Sequence, residues 1–157
     1  MATEQVQWAR QYQEIPGIFR NALQTDDRVI RYRPAFGEWS AIEVVGHMVD
    51  KMRHWSKRVE RVLSEDRPTL PGYDQDAEVR QYDYQHADVT ALFEQLQQQC
   101  EYFSTVIEAI PTSELEREGI HGEFGNMTVR QCIEAPLKSV PEHLEQLKAA
   151  QNAYIAS

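Results

Sequence analysis

Apolar residues recur at alternating steps of three and four along four stretches of this 157-residue chain, a helical period. The first stretch runs from Thr3 to Gln24, with Trp8, Tyr12, Ile15, Phe19 and Leu23 on one stripe. Pro16 lies inside it, where its missing N–H and bulky ring predict a kink or a split. The second opens at Ser40, which can accept from a first-turn N–H while Glu43 reaches back, and its stripe is Val45, Met48, Met52, Trp55, Val59 and Val62. The third, from Ala87 to Ile110, carries Val89, Leu92, Leu96, Cys100, Phe103, Ile107 and Ile110, and Pro111 stops it. The fourth begins at a second capping box, Thr128 with Gln131, and turns Val129, Ile133, Leu137, Val140, Leu144 and Leu147 inward. Pro136 and Pro141 each remove a backbone donor there, so a bend is expected.

Four amphipathic helices cannot bury their stripes alone, and an all-α four-helix bundle is the simplest way to do so. The links, residues 25–39, 65–86 and 111–127, are longer than an up-and-down bundle needs. They allow long crossover connections, and Tyr73, Tyr82 and Tyr84 in the second link could close one end of the bundle. The length fits a single domain, residues 1–157.

Composition narrows the function without naming it. The formal net charge is -9, so a counterion-displacing nucleic-acid surface is not expected. The basic residues Lys51, Arg53, Lys57, Arg58 and Arg61 gather on the second helix, and a solvated helix face is their plainest reading. No apolar run has the length of a membrane span and the N-terminus has no signal-type apolar core, which gives a cytoplasmic expectation. Cys100 and Cys132 sit among apolar neighbours, as buried free thiols do.

Of the five histidines, His54, His86 and His121 fall at positions expected to face solvent. His47 and His143 differ, because each flanks an apolar stripe, in VVGHMVD and SVPEHLEQL. Two inward histidines on separate helices of one bundle suggest a shared site, since bundle metal sites are built from facing helices.

The segment RYRPAFGEWSAIEVVGHMVD resembles the DinB/YfiT-like family of four-helix bundles, in which an Arg-Pro-x-x-Gly-x-Trp-Ser entry precedes a helix carrying a histidine. Arg33, Pro34, Gly37, Trp39, Ser40 and His47 fill those places. The segment GNMTVRQCIEAPLKSVPEHLEQL is similar to the family's last helix, with His143 and Gln146 in the second half of a His-x-x-x-His-x-x-Gln run. The resemblance implies a bundle with crossed connections and a divalent-metal site (nickel, zinc or iron) using three histidines. It also implies thiol-dependent transferase or metal-dependent hydrolase chemistry on a small-molecule substrate, and homodimers.

This sequence departs from the pattern at Ser139, where the third histidine would stand, four residues before His143. A serine hydroxyl is a poor ligand for these metals beside imidazole. Asp50, one turn after His47, is a candidate substitute ligand, although orienting His47 or facing solvent is its plainer role. Ser139 and His143 at i, i+4 could also share a hydrogen bond, as a nucleophile and its base do. Two readings therefore stand together. One is a metal-dependent enzyme on His47 and His143. The other is a degenerate bundle that binds a small molecule or a partner protein without metal.

Overall fold

The computed structural model describes residues 3–157, and its four long helices pair in an order that explains two of the three long links. Helix α1 (Glu4–Ala22) is followed by a single turn, α2 (Asp27–Ile30), and by α3 (Ala41–Ser64). After a short strand β1 (Thr69–Leu70) and helix α4 (Gln75–Gln81) come α5 (Val89–Glu108), the strands β2 (Glu118–His121) and β3 (Gly125–Thr128), and α6 (Val129–Ile155). Both α1 and α3 pack against α5 and α6, so α1 lies diagonally opposite α3, and α5 opposite α6. Two of the three successive long-helix connections must therefore cross the bundle diagonal, which a tight turn cannot do.

Local chemistry sets the helix starts where the sequence predicts them. Thr3 caps α1 by accepting from the Val6 N–H. Ser40 with Glu43, and Thr128 with Gln131, form complete capping boxes on α3 and α6. None of the prolines splits its helix. Helix α1 continues through Pro16, and α6 through Pro136 and Pro141, as unbroken helices. An interior proline costs about 3 kcal/mol relative to alanine. Burial of Tyr12, Ile15 and Phe19 around Pro16, and of Cys132, Ile133 and Leu147 around the other two, offsets that cost.

The predicted stripes form one apolar core with Tyr12, Phe19, Met48, Met52, Leu96 and Phe103 fully enclosed. Leu137, Val140 and Leu144 of α6 are only partly covered, against the edge of that core. Cys100 and Cys132 are buried and unpaired, as expected. The Tyr12 hydroxyl donates to the Ile133 carbonyl at 2.6 Å, tying α1 to α6 inside the core. Tyr12→Phe leaves that carbonyl without its second donor and is expected to cost about 1 kcal/mol. The check is a lower urea midpoint at an unchanged m-value.

The links hold a small sheet that the apolar periodicity does not announce. β1 runs parallel to β2, with Thr69 beside Ile120 and Leu70 beside His121, and β2 pairs antiparallel with β3, with Gly119 opposite Met127. Gly119 is required by close packing, since a Cβ there would come within 2.9 Å of the Val62 side chain and 3.1 Å of the Pro68 carbonyl. Gly125, at φ +71°, closes the turn between β2 and β3. Among the described residues, no helix is long and apolar enough to cross a membrane.

Candidate functional site

The loop before α3 is held rigidly, and that rigidity places Trp39 over His47. Arg33 grips the buried Glu43 carboxylate through two bonds, of 2.8 and 2.9 Å, while Glu43 also completes the Ser40 cap. The Ser40 hydroxyl donates to the Gln85 side chain at 2.6 Å, and Gln85 in turn donates to the Arg31 carbonyl. Gly37 takes φ +84°, a turn that side chains rarely adopt. The Trp39 ring then sits 4.7 Å from that of His47, centroid to centroid.

α3 and α6 bring the two inward histidines together. The rings of His47 and His143 lie 4.7 Å apart at 66°. His47 is fully buried, and neither of its ring nitrogens has a hydrogen-bond partner. His143 is engaged on both sides. Lys51, one turn after His47 on α3, donates from Nζ to His143 Nε2 at 3.2 Å. An ammonium has no lone pair, so Nε2 is the acceptor and the ring proton sits on Nδ1, which donates to Gln146 Oε1 at 3.2 Å.

Electrostatics keep both imidazoles short of protons. Burial pushes the His47 imidazole down to about 3, helped by the nearby His143, Lys51 and His54. Burial also lowers His143, with Lys51 adding to the effect, and lowers Lys51 itself, with Arg58 adding and Glu142 opposing. A cavity of about 570 Å³ opens beside the pair, lined by Trp39, Asp76, Glu142, His143 and Gln146 among others. A ligand there meets an imidazole whose proton position is set by lysine, next to a second, neutral imidazole.

The other candidates for the third metal position are committed elsewhere. The Ser139 hydroxyl donates to the Pro136 carbonyl at 2.8 Å, so it is neither paired with His143 as a nucleophile nor directed at a cation. Asp50 is fully buried but does not orient His47 or meet solvent. Its Oδ1 accepts from the Tyr84 hydroxyl at 2.5 Å and from Arg53 at 2.7 Å. Among the described residues, no three His, Cys, Asp or Glu side chains gather where they could hold a metal ion. Two neutral imidazoles, one of them already bonded to an ammonium, do not match the three-ligand set of a catalytic centre.

Several expectations about the second helix need correction. Of its five basic residues, Lys57 alone is exposed. Arg53 pairs with Asp50, Arg61 bonds to Glu65 and the Thr69 carbonyl, and Arg58 is buried with its guanidinium 4.4 Å over the Trp55 ring. His54 is half-buried, bonded to Glu78 and stacked 3.6 Å from Tyr73. His121 is buried by the strand pairing and lies parallel to Trp55, whereas His86 is exposed as expected. Tyr84 is buried against α3, Tyr73 covers His54, and Tyr82 stays largely exposed. Lys51 is the site residue that sequence reasoning missed. Its i, i+4 spacing from His47 was the available signal, since it puts both on one face of α3.

Comparison with known proteins agrees with this architecture. No curated protein matches the chain. Among solved structures, YfiT from Bacillus subtilis, described as a probable metal-dependent hydrolase with an unusual four-helix bundle topology, superposes with a TM-score of 0.84 at 17% identity. The match covers 97% of this chain and 89% of that one, and at such identity it speaks for the fold. The sequence profile of the DinB superfamily matches residues 7–151, nearly the whole chain, and the chain therefore belongs to the DinB superfamily.

Proposed function

We propose that this chain is a DinB-superfamily bundle that binds a small molecule at the His47–His143 centre, with the Lys51 ammonium supplying the positive charge that a metal ion supplies in a three-histidine site. The observation that carries the reading is the 3.2 Å contact from Lys51 Nζ to His143 Nε2, on the imidazole atom a metal would need. Ser139 in place of a histidine supports it from the ligand side. Lysine on α3 and imidazole on α6 can pass a proton between them and present a hydrogen-bond donor to a ligand oxygen.

A second reading has its own support. Both His47 nitrogens are buried without partners, and an ion that displaced Lys51 would satisfy one of them. That would make the chain a metal-dependent hydrolase, as YfiT is described. Elemental analysis of protein purified without an affinity tag separates the two, together with thermal unfolding in nickel, zinc or ferrous iron. The lysine reading expects substoichiometric metal and an unchanged Tm. A stoichiometric ion, or a Tm that climbs with metal concentration and stops climbing in His143→Ala, overturns it.

A further inference from the structure

A second, smaller cavity of about 280 Å³ is lined by Lys51 and other residues of α3, by α6, by the start of α4 with the link before it, and by the β2–β3 turn. Four flat rings line it, those of Trp55, Tyr73, His121 and Phe124. Trp55 and His121 lie parallel at 6.0 Å, Phe124 stacks on the other contact of His121 at 4.7 Å, and Tyr73 is held by His54. Its polar lining holds two basic side chains, Lys51 and Arg58, beside Gln75, Ser139 and Glu123. Arg58 is 5% exposed and lines this cavity. Its one hydrogen bond goes to a neutral partner, the Pro71 carbonyl at 2.9 Å, and no carboxylate pairs with it among the described residues. A buried guanidinium without a counter-ion is costly, and proteins ordinarily pair it.

Three further groups point the same way. Lys51 lines the cavity as a second basic side chain. His121 Nδ1 accepts the backbone N–H groups of Glu123 and Phe124 at 3.1 and 3.2 Å, which leaves the neutral ring's proton on Nε2 as a donor. The hydroxyl of Tyr73 is buried and has no partner. One acid, Glu123, shares the lining, on the exposed β2–β3 turn. Ser139 completes the α6 wall, one turn from His143.

We infer that this cavity is a binding site for a small aryl or similarly flat carboxylate, whose anionic end lies between Arg58 and Lys51 and whose apolar body lies among Trp55, Tyr73 and Phe124. The volume falls just below the range of about 300–1,000 Å³ that holds drug-sized ligands, so a single ring with a short acid fits its scale. The inference deepens the proposed function by naming a ligand class, and it rests on that reading only through Lys51. Arg58 and Tyr73 stand apart from the metal question.

Isothermal titration of the full chain with benzoate, benzamide and phenyl phosphate tests it, with metal chelated throughout. Benzoate is expected to bind one site per chain, and the neutral isostere benzamide at least about tenfold more weakly, because the charge-assisted bonds to Arg58 are lost. Arg58→Met is expected to weaken benzoate by a similar factor. Tyr73→Phe, which keeps the ring and the fold, should weaken it several-fold and keeps the test decisive if the Arg58 variant fails to fold. Equal binding of benzamide and benzoate, or unchanged benzoate affinity in Tyr73→Phe and a folded Arg58→Met, overturns the inference. Preference for phenyl phosphate overturns the carboxylate assignment in favour of a phosphoryl ligand. Stoichiometric metal together with benzoate binding lost in Arg58→Met would sink the lysine reading and leave this one standing.

Discussion

Moving the metal-stripped protein from pH 7.5 to pH 4 is expected to remove roughly 3 kcal/mol of stability through one side chain, His47. Its folded-state value is near 3, against an ordinary 6.5. Above 6.5 the imidazole is neutral in both states and contributes nothing to the pH dependence. Below 6.5 the unfolded chain takes up a proton that the folded chain refuses, so the unfolded state gains steadily until the pH reaches about 3. The stability is thus present above the unfolded value and is lost as the pH falls through that window. His143, His54 and His121 are lowered too and add slope of the same sign. Asp50 works the other way, since burial raises its carboxyl and makes its protonated form the one the fold prefers.

Urea unfolding at a series of pH values checks this, with His47→Leu as the comparison. The variant removes an imidazole that is buried with neither nitrogen bonded. It is expected to match or exceed the parent at pH 7.5, and to exceed it by about 2 kcal/mol more at pH 5. Superimposable pH profiles would show that His47 is not the group responsible. An imidazole that lowers stability in acid and makes no hydrogen bond adds support to the proposed site at His47.

The helices were readable because their information is local. Capping boxes at Ser40 and Thr128, and apolar steps of three and four, need only neighbours along the chain. The sheet was not readable, because β1 is two residues long and pairs with residues of β2 that lie 51 positions away, with Gly119 and His121 facing in and Ile120 facing out. Over so few residues a period of two cannot be told from a loop. The site divided along the same line. His47 and His143 showed themselves by lying beside apolar stripes. Lys51, Arg53 and Arg58 did not, because a charge on a helix is solvated by default and only long-range packing reveals otherwise. The Arg58 environment needs Pro71, Tyr73 and Trp55, which come together only when the second link folds back over α3.

That fold-back depends on one position with no side chain. Gly46, one residue before His47, faces the Tyr84 ring so closely that a Cβ would lie 2.1 Å from Cγ and 2.6 Å from the Tyr84 Cβ. The blocking atoms belong to the base of a ring, not to the far end of a flexible chain, so Tyr84 cannot yield without leaving its seat. Leaving it would break the 2.5 Å bond to Asp50, and Asp50 would keep a buried charge with Arg53 as its sole partner. Gly46→Ala is therefore expected to destabilise by about 3 kcal/mol or more, at the top of the range for overpacked cores, although alanine is the better helix former. Chemical denaturation measures it, and the mechanism has its own check. In a Tyr84→Gly background all three clashing atoms, Cβ, Cγ and Cδ2, are gone and the same alanine is expected to cost under about 1 kcal/mol, so the two substitutions should be strongly non-additive. Additive costs would mean that the penalty arises within α3 itself. The link and the His47 face of α3 would then be independent, and His47 would keep its surroundings when Tyr84 is lost.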